Sequence, residues 1–240
     1  MTGGARGIGR ATAERLAWEG ARTELFDLDG TAVAAAADTI AGRGLAAVAH
    51  TVDVTDELGV AEAVRTLIGA EGRIDILVNN AGIFPHTPFE ELTFEEWRRV
   101  LSTNLDSVFL VTRAVFPHMR ERGYGRIVNI STAAFHIGYP ELTPYLASKG
   151  GVIGFTRSLA AEAGPHGITV NAITPGMIET EGTMEEDPGG ELFDEIGAGQ
   201  AVKRRGRPED IAETIAYLVS PGAGFITGQT INVDGGHRMH

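Results

Sequence analysis

Short apolar runs and longer helix-period segments alternate along the entire chain, and this alternation restricts the fold more than any other feature. The runs fall at residues 23–26, 46–52, 74–78, 126–130, 168–173 and 230–233. The helix-period segments fall at 9–18, 30–40, 58–70, 93–119, 145–163 and 208–219. A strand that reaches the next strand only after a helix pairs with it in parallel through a right-handed crossover. The expected class is therefore α/β: a doubly wound parallel sheet with helices on both faces.

At 240 residues with 43% hydrophobic content, the chain can bury one full core, and a single domain over 1–240 is expected. The net charge of −12 disfavours phosphate polymers and anionic lipid, so neither nucleic acid nor a membrane is an expected partner. The chain contains no cysteine, which excludes disulfides, a thiolate nucleophile and Cys-ligated zinc; histidines and acids do not pair on a helical face, so no metal site is expected. No apolar run is long enough to span a bilayer, and the expected location is the cytoplasm. Thr93 and Glu96 have the spacing of a capping box at the start of the longest helix. Residues 179–200 are acidic, contain Pro188 and several glycines, show no sustained period, and are expected to form a mobile loop or lid.

The first chemical signal is Gly3, Gly7 and Gly9, with Arg6 and Ile8 between them, directly ahead of a helix. Glycine lets backbone N–H groups approach a pyrophosphate, and the helix start adds its own free donors. Asp27 follows the first apolar run, 18 residues after Gly9. A carboxylate at that spacing accepts hydrogen bonds from the adenosine ribose and repels a 2′-phosphate, which favours NAD over NADP. Its structural alternative is turn chemistry with Asp29 and Gly30.

Further along stand Asn79-Asn80-Ala81-Gly82 after a strand, Asn104 within a helix, Tyr145-Leu146-Ala147-Ser148-Lys149, and Pro175-Gly176 after a strand. With the glycine loop, these motifs resemble, in order and over nearly the whole chain, those of the short-chain dehydrogenase/reductase family. That resemblance implies a Rossmann-like fold and hydride transfer between a nicotinamide cofactor and a secondary alcohol or ketone. It implies that Tyr145 is the general acid/base, and that Lys149, one helical turn on, lowers its pKa and binds the nicotinamide ribose. It implies that Asn104 holds a water in a proton relay, although the amide could instead satisfy a helix kink. The hydroxyl expected thirteen residues before the tyrosine falls on Thr132 where serine is usual, with Ser131 in reserve; strand alternation should turn Ser131 to the opposite face.

By the same resemblance, Asp53 and Val54 meet the adenine, and Asn79, Asn80, Ala81 and Gly82 line the floor under adenosine and ribose. Pro175, Gly176, Ile178 and Thr180 hold the nicotinamide end. The substrate pocket is expected to be walled by Phe84, His86, Ala133, Phe135, His136 and Tyr139, and by the loop around Met184 and Phe193; His136 could instead be a solvated loop residue. The resemblance also implies a homotetramer or homodimer, with Val108, Val111, Val115, Val152 and Phe155 as candidate interface positions. Finally, the family's first strand would precede Thr2 and lie between residues 23–26 and 74–78, so some ten upstream residues ending in an apolar run are expected to belong to the functional protein. Two other readings remain at this stage: a non-catalytic NAD(H)-binding sensor or scaffold, and an NADPH-dependent 3-oxoacyl reductase.

Overall fold

The computed structural model describes residues 1–239. Six strands form: β1 (Thr23–Asp27), β2 (Ala47–Thr51), β3 (Ile76–Asn79), β4 (Gly125–Ile130), β5 (Ile168–Pro175) and β6 (Thr230–Val233). All pairings are parallel. The intervening helices are α1 (Gly7–Trp18), α2 (Gly30–Ala41), α3 (Glu57–Glu71), α4 (Phe94–Leu101), α5 (Ser107–Arg122) and α6 (Thr143–Ala163). Three more follow: α7 (Glu181–Glu186), α8 (Glu191–Gly199) and α9 (Pro208–Val219). The fold is a doubly wound α/β sandwich, as the alternation requires.

Side-chain alternation along the strands sorts the core into two faces. Leu77, Ile127 and Val170 pack against Val60 and Val64 of α3 and Val111 and Val115 of α5. Val78, Val128 and Ile173 pack against Leu16 of α1 and Ile211 and Ile215 of α9. Local signals start the helices where the sequence places them: Asp29 accepts from Ala32 N–H, Asp56 from Leu58 N–H, and Thr93 from Glu96 N–H. The capping box at Thr93 is only half made, because the Glu96 carboxylate accepts from the Thr87 hydroxyl.

Two expectations are corrected. The helix expected over 93–119 is broken by a π-helical turn at Ser102–Asp106 between α4 and α5. The segment expected to be irregular contains two helices, α7 and α8; Thr180 caps α7 through a reciprocal bond with Thr183.

The sheet is interrupted. The strands β2 and β1 form one pair, β3-β4-β5-β6 form a four-stranded sheet, and β1 and β3 do not touch as a ladder. Only Met1 and Thr2 lie between them. Thr2 N–H donates to Val78 O on one side, while Phe26 N–H donates to Met1 O on the other. Beyond those residues lies a cavity of ≈ 380 Å³ lined by Leu16, Phe26, Leu67, Leu77, Val111 and Val115 and also by Arg22, Glu24, Arg73 and Asp75.

Candidate functional site

The C-terminal ends of the strands gather the residues singled out in the sequence. Before α1 the backbone reverses through Gly3 (φ 62°) and Gly7 (φ 54°). A Cβ on Gly3 would come within 2.9 Å of Asn80 Nδ2, and one on Gly9 would strike Gly3 O, so neither position accommodates a side chain. The clamp on this loop is Asn80. Its Nδ2 donates to Thr2 O (3.1 Å) and Gly3 O (3.0 Å), and its backbone N–H to Thr2 Oγ1 (3.0 Å). Ala81 N–H joins at the same hydroxyl. Asn79 does not lie on the floor: it is buried, and Nδ2 ties β3 to Thr112 of α5 and Asn129 of β4.

Asp27 lies at the end of β1, where Oδ2 accepts from Ala5 N–H (3.0 Å) and Oδ1 from Asp29 N–H (3.1 Å). The carboxylate thus joins the glycine loop to the turn after β1, combining both readings of the residue. Asp53 is exposed and accepts from the backbone and hydroxyl of Thr55, a turn that leads into α3, with Val54 buried beside it. Ile8 and Gly9 sit in the first turn of α1, where N–H groups have no intrahelical acceptor.

Tyr145 and Lys149 lie one turn apart on α6, with Lys149 Nζ 5.9 Å from the phenol ring centroid. Thr132 and Tyr145 line the same cavity, and the Thr132 hydroxyl accepts from Ala134 N–H (3.2 Å). Ser131 also lines the cavity, but its hydroxyl is buried and donates to Lys149 O (2.9 Å). The two adjacent hydroxyls, just past the end of β4, therefore serve different partners.

The electrostatics differ from the simple expectation. Burial raises the phenol above its ordinary pKa, the Thr132 hydroxyl opposes the shift, and the Glu186 charge adds to it. Lys149 does not lower it in this state. Burial brings the ammonium itself down to about 8, and Nζ donates to Ile130 O (2.8 Å) rather than pointing at the phenol oxygen.

Asn104 lies in the π turn and is completely buried. Its Oδ1 accepts from Ile83 N–H (2.8 Å), and Nδ2 donates to Ile83 O (2.8 Å) and Ser148 Oγ (3.1 Å). Both amide N–H groups are spent on protein acceptors outside the π turn, Ile83 O and Ser148 Oγ. Gly82 is packed beneath: a Cβ there would stand 3.2 Å from Asn104 Oδ1 and 3.4 Å from Lys149 Nζ.

Thr132, Tyr145, Lys149, Ile8, Gly82 and Thr180 open on one cavity of ≈ 270 Å³. The charged groups of the larger cavity, Arg22, Glu24, Glu71, Arg73 and Asp75, are paired with one another and lie away from the glycine loop and Tyr145, so the smaller cavity is the functional candidate. Pro175, Gly176 and Ile178 line it, as do Phe84, His86, Ala133 and Tyr139. His136 and Phe135 do not; both are exposed on the 3-10 turn Ala133–His136, where their rings pack edge to face. Met184 also lies outside, and Phe193 is buried under Arg205; Leu192 and Ile196 of α8 line the cavity instead.

Two carboxylates escaped the sequence reading. Glu181 Oε2 accepts from Gly7 N–H (2.9 Å) and Oε1 from Arg10 (2.8 Å), fastening α7 to the glycine loop. Glu186 lines the cavity beside His86. Their sequence separations from these partners are large, and only the acidity of the segment hinted at them. The proposed interface positions are also corrected: Val108, Val111, Val115 and Val152 are buried within this chain.

Residues 3–238 match the family described as enoyl-(acyl carrier protein) reductase. A short-chain reductase of Streptomyces niveus, NovJ, is 43% identical over 98% of this chain and 92% of its own length. A 3-oxoacyl-[acyl-carrier-protein] reductase of Synechocystis is 40% identical over 100% of this chain and 96% of its own. The solved structure of gox2181 superposes with a TM-score of 0.93 at 37% identity, covering 98% of this chain and 93% of that one. Among the described residues, no helix is long and apolar enough to cross a membrane. Matching motifs, fold and relatives together make this chain a member of the short-chain dehydrogenase/reductase family of oxidoreductases.

Proposed function

We propose that the protein transfers a hydride between NAD(H) and a secondary alcohol or ketone, with Tyr145 as general acid/base. The observation that carries this reading is that Thr132, Tyr145 and the buried Lys149 line one cavity, with Lys149 Nζ 5.9 Å from the phenol ring centroid. A substrate oxygen meeting both hydroxyls is positioned by Thr132 and exchanges its proton with Tyr145. When bound, the nicotinamide supplies or accepts the hydride. The residues present fit the dinucleotide: Gly3 and Gly9 leave no room for a Cβ, which permits the tight loop ahead of α1 whose free N–H groups would hold the pyrophosphate, and Asp27 at the end of β1 would accept from the ribose hydroxyls. Lys149 would hold the nicotinamide ribose, and Ile178 and Thr180 the carboxamide.

A carboxylate at Asp27 favours NAD over NADP. Asp27→Ser is expected to shift the ratio of NADP(H) to NAD(H) affinity upward by at least tenfold in fluorescence titration; an unchanged ratio removes the assignment. We further read the enzyme as a single cytoplasmic domain that works as a homotetramer or homodimer, with the exposed Phe109 of α5 and Phe225 as contact candidates.

The test of the chemistry is NAD reduction with a panel of secondary alcohols. Tyr145→Phe is expected to lose roughly 10²–10⁴-fold in kcat while cofactor affinity and melting temperature hold. A wild-type protein that binds NAD(H) yet turns over no alcohol or ketone would instead be a dinucleotide-binding sensor.

A further inference from the structure

The hydride-transfer reading leaves open what else the substrate carries besides the reacting oxygen. The cavity wall opposite the phenol bears on this question. Most of that wall is apolar or aromatic: Phe84 lies 5.9 Å from the Tyr145 ring between centroids, and Tyr139, Leu142, Leu192 and Ile196 complete the lining. Glu186, at the end of α7, breaks this surface, and its carboxylate Oε2 stands 3.5 Å from His86 Nε2. No hydrogen bond reaches Glu186 Oε1 from the described residues, while the side chain remains 44% exposed on the cavity side.

Other charged or titratable groups near this wall are Lys149 and His237 in the lining and Glu185 next in sequence, paired with Arg6 at 4.0 Å. Lys149 is committed to Ile130 O. The group that faces the substrate with an unspent lone pair is therefore an acceptor. Its charge is felt at the phenol, which places it in electrostatic range of the reacting oxygen.

We propose that Glu186, oriented by His86, is a specificity-determining residue that selects alcohols or ketones bearing a second hydrogen-bond donor, a hydroxyl or an ammonium, near the reacting carbon, and selects against those bearing a carboxylate there. A donor at that place completes the open acceptor; a carboxylate would meet like charge in a partly desolvated cavity. The apolar remainder of the wall suits a ring. The substrate class is thus a hydroxylated or aminated cyclic or aryl alcohol. This inference rests on the hydride-transfer reading, and its test separates the two.

Four alcohols share one reacting centre and differ only at the neighbouring position: 1-phenyl-1,2-ethanediol, 2-amino-1-phenylethanol, 1-phenylethanol and mandelate. In the wild-type protein with NAD, kcat/KM is expected to be at least tenfold higher for the diol and the amino alcohol than for 1-phenylethanol, with mandelate lowest. In Glu186→Gln the ratio of amino alcohol to mandelate should fall at least tenfold, mainly through KM, and Glu186→Lys should invert it. Calorimetric Kd values for the same four compounds on NAD-saturated protein should follow the same order. Ratios that are the same in the wild type and both variants overturn the proposal, as does a failure of all four to bind. Binding that follows the predicted order without turnover would sustain the selectivity of Glu186 and overturn the hydride-transfer reading instead.

Discussion

The two ends of the strands β1 and β3 are built differently. At the C-terminal end, a hydroxyl, an asparagine and two carbonyls knot Thr2, Gly3, Asn80 and Ala81 together, and Asn104 ties Ile83 in both directions. At the other end the same two strands face each other across a cavity of ≈ 380 Å³ lined mainly by aliphatic side chains. One end is dense with polar contacts, the other is lined mainly by apolar side chains around open volume, and the two should respond differently to substitution.

The largest separation should come from Asn104→Ala. It removes three hydrogen bonds and leaves the Ile83 N–H and C=O without partners, at a cost of about 3 kcal/mol. The melting temperature should drop by about 6–12 °C, and activity should fall with it. A drop under 2 °C would mean that the knotted end contributes little.

Lys149 gives a comparable effect with a pH signature. Its ammonium is held near 8 in the folded protein, against 10.5 when free. Between those values the unfolded chain binds more protons, so stability rises as pH increases from 8 to 10.5, and the full penalty of burying the charge, about 3 kcal/mol, applies below 8. In Lys149→Met that increment should disappear. Urea midpoints for the apoprotein at pH 7.5 and 9.5 should converge on the variant from below; parallel pH profiles would refute the shift.

The smallest effect tests the open end. Val111→Ile adds one methylene beside the cavity and should stabilise by up to about 1 kcal/mol, raising the melting temperature by about 2–4 °C, with kcat unchanged. Destabilisation on adding this methylene would show that the volume is not available to a core side chain.

These contrasts follow how legible the sequence is. The strands and most helices are readable because burial on two faces imposes a period, and the ladder at Thr230–Val233 falls on the expected residues. The Tyr145 to Lys149 spacing is readable because one helical turn depends on local geometry alone, whereas the Thr132 position comes from the family resemblance. The π turn is not, since one extra residue per turn leaves the apolar period nearly intact. Nor are Asn80 as the loop clamp, Glu181 on Gly7 or Glu186 opposite the phenol, because each is a meeting between distant segments. The interface positions on α5 and α6 failed for a related reason: an apolar stripe does not say whether its partner is the sheet of the same chain or another subunit.

The π turn at Ser102–Asp106 has one further implication. Each residue of a helix advances the side-chain direction by about a hundred degrees, so a wide turn lets the stretch before it and the stretch after it keep independent phases. Shortening Ser102–Asp106 by a single residue would restore a regular cylinder while rotating the Asn104 amide out of reach of Ile83. The candidate cavity is therefore sensitive to the winding number of a helix as well as to the identity of its residues.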